Sequence, residues 1–105
     1  MNFIQHYDNT ISDLDNKLSS LIDDGFDLEV EKFGDVLSLI FSDKAKFVVS
    51  PNSGVNQLWV SANYEGHRFN FDGARRAWID EKTGQEFHTY ISRLLSDKLG
   101  KEIAV

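Results

Sequence analysis

Phe26-Asp27-Leu28-Glu29-Val30-Glu31 alternates apolar and acidic residues without a break. With a side-chain period of two, Phe26, Leu28 and Val30 fall on one face of a strand and Asp27, Glu29 and Glu31 on the other. Downstream, Phe33-Gly34-Asp35 reads as a turn and residues 36–41 as a second strand, with Leu37, Leu39 and Phe41 facing inward. Ser42-Asp43-Lys44 is a further turn. Four more short strands are predicted over 46–50, 57–62, 66–72 and 77–80, with 51–56 as the longest loop. Consecutive strands joined by short polar turns predict an antiparallel meander.

Helices flank this run. Ile4, Tyr7, Ile11, Leu14, Leu18, Leu21 and Ile22 recur at helical spacing and predict an amphipathic helix over 3–22, stopped near Gly25. Asp8, Ser12, Asp15, Ser19 and Asp23 form a stripe along one flank of its apolar arc. Thr83-Gly84-Gln85-Glu86 matches a capping box opening a second helix, carried by Phe87, Ile91, Leu94, Leu95 and Leu99 and stopped by Gly100. Ile103 and Val105 are placed to pack back on the helices. The order helix, six strands, helix predicts one α+β domain over 1–105: a two-layer α/β sandwich with both terminal helices on one face of a six-stranded antiparallel sheet. The other sheet face is then open to solvent. Gln57, Trp59 and Ser61 of the fourth strand lie on it, as do Arg68, Asn70 and Asp72 of the fifth. That setting fits both a protein-binding hot spot and a tryptophan covering its cross-strand neighbours.

Charge sharpens the reading. The 105 residues carry a net charge of −6, but residues 1–43 hold 10 acids against 2 bases and residues 44–105 hold 7 against 9. The acidic first segment suits a cationic partner, either metal ions or a basic protein surface, and also suits simple solvation. With no cysteine there is no disulfide, thiolate metal site or thiol nucleophile. No apolar run approaches the ~20 residues of a membrane span, no secretory signal pattern opens the chain, and the acidity opposes nucleic-acid binding. His6, His67 and His88 are scattered, no Ser lies in a nucleophile elbow and no Gly-rich loop could cradle phosphate, so catalysis is not expected. Carboxylates without His or Cys suit hard cations. On regular elements they would bind weakly, at several places, with much retained water.

The acidic first helix and strand, Asn56-Gln57-Leu58-Trp59-Val60-Ser61, Gly66 with Phe69-Asn70-Phe71, Gly73, Trp78 and Thr83-Gly84 together resemble the frataxin family, in its short bacterial CyaY type. The resemblance spans nearly the whole chain, and its specific parts are the Trp59 and Trp78 strands. It implies weak binding of ferrous and ferric iron through an acidic ridge, here Asp8, Asp15, Asp23, Asp24, Asp27, Glu29 and Glu31. It implies a part in iron–sulfur cluster assembly, with the cysteine desulfurase and the scaffold protein as partners, and modulation of the desulfurase. The matching partner face is Asn56, Gln57, Trp59, Ser61 and Arg68. Ser19-Ser20 depart from the acidic pair often found late in the first helix, which moves the expected metal-binding centre toward Asp23, Asp24, Asp27 and Glu29. The resemblance further implies a monomer open to iron-driven oligomers, and a bacterial cytoplasm, since no targeting extension precedes the domain. The alternative is an acidic adaptor or inhibitor docking a basic partner surface, with metal binding incidental. A weak ferroxidase activity is the remote third reading.

Overall fold

The computed structural model describes residues 2–105. Helix α1 spans Phe3–Asp23, followed by strands β1 Leu28–Phe33, β2 Val36–Phe41, β3 Lys46–Asn52, β4 Gln57–Ala62, β5 Glu65–Asp72 and β6 Ala77–Asp80, and then helix α2 Phe87–Leu99. Every strand pairs antiparallel with its sequence neighbour, so the sheet order is β1-β2-β3-β4-β5-β6. This is the expected two-layer sandwich.

Alternation decides which face is covered. Leu37 and Leu39 of β2, Val49 of β3, Leu58 of β4, Phe69 of β5 and Trp78 of β6 are all buried, and so are Tyr7, Ile11, Leu14 and Leu18 of α1 and Phe87, Tyr90, Ile91 and Leu95 of α2. Burial of each large aliphatic side chain stabilises the fold by roughly 1.5–3 kcal/mol. Two polar groups of this layer find partners: the Trp78 indole N–H donates to Thr10 Oγ1 at 2.8 Å, and the Tyr7 hydroxyl donates to the Asp35 carbonyl at 2.6 Å. Burial pushes the Tyr7 phenol well above its usual range, with Asp35 and Asp8 adding repulsion.

The tail packs back as expected. Ile103 and Val105 are buried, their N–H groups donate to the hydroxyls of Ser96 and Ser92 at 2.8 and 2.9 Å, and the Lys17 ammonium reaches the Val105 oxygen at 3.0 Å. The α1 start carries a capping box between Asn2 and Gln5, which the apolar spacing alone does not reveal.

The start of α2 corrects an expectation. Thr83 does not cap it; Glu86 does, its carboxylate accepting from the His88 and Thr89 N–H groups. The reason lies upstream. Asp80 N–H donates to the Gln85 carbonyl at 2.8 Å, and Ile79 bridges to Glu86, so the chain stays paired with β6 through residue 86. Gly84, at φ +74, makes the turn that permits this. β1 also begins and ends two residues later than its alternation suggests, leaving Phe26 and Asp27 in the connection, and β3 runs on through Pro51 to Asn52.

Candidate functional site: an acidic edge and an open sheet face

β1 is an edge strand, and the acids gather around it. On α1, His6 stacks on Phe71 at 3.9 Å between ring centroids, Thr10 meets Trp78, and Lys17 reaches the C-terminal tail. That flank therefore faces β5, β6 and α2. The opposite flank, with Asp8, Asp15 and Asp23, overhangs β1. Asp24 caps the C-terminus of α1 and Asp27 lies in the connection. Glu29 and Glu31 project from the open side of the sheet, opposite Ile40 and Ser38. The seven acids thus wrap one edge of the sandwich, and all but the half-buried Asp15 are exposed.

They share an edge without converging. Among the described residues no group of three or more His, Asp or Glu side chains is placed to hold one metal ion. Helix and strand side chains diverge from their axes, so an ion here would meet one or two carboxylates and keep most of its water. The last turn of α1 holds no basic residue, and Asp23 and Asp24 sit where the helix dipole disfavours anions.

The five residues expected on the partner face are brought together on and beside β4 and β5. Asn56, at φ +54, turns the chain into β4. Trp59 pairs across the ladder with Arg68, and Gln57 with Asn70. The Trp59 indole N–H donates to Gln57 Oε1 at 3.0 Å, while the Gln57 amide donates to Asn70 at 3.2 Å and to Glu81 at 3.4 Å. The Arg68 guanidinium lies 4.9 Å from the Trp59 ring centroid, a cation–π distance. Ser61 stands between Val48 and Gly66 on the same face. These contacts hold Trp59 in one orientation while leaving it half-exposed.

Sequence reasoning does not single out the neighbours that shape this face. A hollow of about 310 Å³ is lined by Val48, Ser50, Trp59, Ser61, Gly66, Arg68, Glu81 and Lys82 among others. Its far wall is the start of the turn after β6, which stays paired alongside β5: the Glu81 N–H donates to the Arg68 carbonyl at 3.0 Å. Asp80 anchors that turn. It is 3% exposed and accepts from the Lys82 N–H at 2.9 Å, the Thr83 N–H at 3.5 Å and His67 Nδ1 at 2.7 Å. Burial pushes its carboxyl up, but the bonds from Lys82, His67 and Thr83 outweigh this and hold it below the usual carboxylate range.

Fold and surface together define a frataxin-like domain, and the family model described by those words matches residues 1–101: the chain belongs to that family. Within it, the chain is similar to bacterial CyaY members. A protein of Pseudoalteromonas atlantica named iron-sulfur cluster assembly protein CyaY is 36% identical over 88 residues, covering 82% of this chain and 79% of the relative. The protein of the same name from Aeromonas hydrophila is 30% identical and covers 78% of each. A frataxin from Psychromonas ingrahamii superposes with a TM-score of 0.86 at 24% identity, covering 99% of this chain and 97% of that one, which establishes the fold. No helix among the described residues is long and apolar enough to cross a membrane.

Proposed function

We propose that this protein takes part in iron–sulfur cluster assembly as a non-enzymatic iron-binding regulator. Iron is its cargo, held weakly along the β1 edge by Asp8, Asp15, Asp23, Asp24, Asp27, Glu29 and Glu31. The cysteine desulfurase, which it modulates, and the scaffold protein are its partners, and Asn56, Gln57, Trp59, Ser61 and Arg68 form its partner face. The names carried by its relatives support the pathway. The observation that carries the iron reading is seven carboxylates along one edge, with no His or Cys among them. Oxygen ligands suit Fe³⁺ as a hard cation and also bind the borderline Fe²⁺, more weakly, and scattered carboxylates suit an ion that must be passed on.

Cations are expected to stabilise the fold by binding the native edge and relieving its repulsion. Millimolar Co²⁺, a redox-inert stand-in for Fe²⁺, raises Tm more than sodium chloride of equal ionic strength does. Equal rises in a thermal melt would reduce the effect to screening and contradict the iron reading. A second reading, an acidic adaptor, is favoured by the absence of a shared metal centre among the described residues. Desulfurase binding that persists undiminished under chelator would select it.

A further inference from the structure

A second hollow, of about 270 Å³, lies at the C-terminal end of β4, lined by Lys44, Lys46, Phe47, Ser61, Asn63 and Tyr64 among others. It opens where two hairpins part. The β3–β4 ladder runs from Asn52 and Gln57 only as far as Val48 and Ser61. Beyond that point Lys46 and Phe47 pair with β2, and Ala62 pairs with Glu65 of β5. The backbone around the opening is strained. Asn63 and Tyr64 make a two-residue turn at φ +52 and +65, and Lys44 stands at φ +71 in the turn before β3. Glycine or asparagine suits such positions, whereas tyrosine and lysine are sterically disfavoured there. Neither side chain gains burial: Lys44 is exposed and Tyr64 completely so. Strain without burial is a mark of a surface kept for binding. Charge shows what it suits. Lys44 and Lys46 enter no ion pair among the described residues, and no acid is among the residues lining the hollow. The acids that flank it in sequence are engaged elsewhere: Asp43 pairs with Lys98 and accepts from the Ala45 N–H, and Glu65 faces His67 Nε2 at 3.3 Å.

We propose that this hollow binds a single nucleotide, its phosphate held by Lys44 and Lys46 and its base stacked on the exposed Tyr64 ring. Two ammonium groups supply charge-assisted hydrogen bonds to phosphate oxygens, and an aromatic face accepts any base. A single nucleotide fits better than a polymer. One phosphate meets mainly the two nearby lysines, whereas a polynucleotide would extend over a molecule of net charge −6. The site lies apart from the β1 edge and stands whether or not iron binds there.

The probe is AMP, with adenosine, inorganic phosphate and a tetra-adenylate as comparisons, followed by ¹⁵N NMR and by the Tyr64 ring protons. AMP is expected to give saturable shifts at Lys44, Lys46, Ser61, Asn63 and Tyr64, with upfield movement of the Tyr64 ring signals. Adenosine and phosphate alone should each bind about tenfold more weakly. Tyr64→Gly suits the left-handed turn, so it keeps or raises Tm while AMP binding falls to the level of phosphate. Tyr64→Phe retains AMP, and Lys46→Gln, an exposed change, weakens it about tenfold. Equal binding of AMP and adenosine, undiminished AMP binding by Tyr64→Gly, or shifts centred away from this hollow overturns the proposal. So does a lower Tm for Tyr64→Gly, which would make the tyrosine a support of its own hairpin. Binding of the tetra-adenylate more than tenfold tighter than AMP would assign the surface to a polymer and overturn the single-nucleotide reading.

Discussion

Asp80→Ala is expected to cost about 2–4 kcal/mol of folding stability, the range for leaving buried donors without their charged acceptor. At ~4–8 °C per kcal/mol for a domain near this size, Tm falls by roughly 8–30 °C. The substitution strips the acceptor from two backbone N–H groups and from His67, and it loosens the turn that delays α2 and walls the hollow. Asp80→Asn is milder, because an amide oxygen still accepts from the turn. Its effect also depends on pH in a stated direction. The folded carboxyl lies below its ordinary value, so the stability it adds is complete above the unfolded pKa of ~3.9. That stability is lost as pH falls through the lower folded value. The gap between wild type and Asp80→Asn should therefore narrow below about pH 4. Denaturant melts across pH 3–7 check this, and a gap that widens on acidification contradicts it.

Reversing Asp23, Asp24, Asp27 and Glu29 to lysine is expected to weaken desulfurase binding about 100-fold or more at low salt, most of it through slower association. All four are exposed, and the change moves net charge from −6 to +2. The fold should tighten as it happens: lysines at the C-terminus of α1 complement the helix dipole, each by about 0.3–1 kcal/mol. A higher Tm with lost binding is thus the signature of an electrostatic contact. Wild-type affinity should fall with added salt, whereas Asp97→Lys, on the exposed side of α2, leaves binding intact. Calorimetry on the reversed protein reads the outcome, and unchanged affinity would remove the acidic edge from the interface.

The periodic parts of this molecule are legible in its sequence. Ile11, Leu14 and Leu18 repeat at helical spacing, and Leu58, Val60 and Ala62 alternate as a strand must, so their buried faces follow from covalent geometry. The side of the sheet each site residue takes is legible for the same reason. The start of α2 is not. Thr83 and Glu86 have the spacing of a capping box, but Asp80, a buried acceptor three residues earlier, commits the turn to a different set of bonds. The hollow is also hidden, since Val48, Gly66 and Lys82 come from β3, β5 and a turn, and only the register brings them together. Nor can charge counting tell a ridge from a chelating centre. The acids of α1 and β1 are close in sequence, yet the sheet edge separates Asp8 and Asp15 from Glu29 and Glu31.

Whether iron binds along the β1 edge is decided by an anaerobic Fe²⁺ titration followed by ¹⁵N NMR, repeated with Co²⁺. Progressive, weakly saturating changes should fall within residues 5–35, strongest around Asp23, Asp24, Asp27 and Glu29, while β4, β5 and α2 stay undisturbed. Perturbation centred outside 5–35, around His67 or Asp80 for example, would contradict an iron-binding edge.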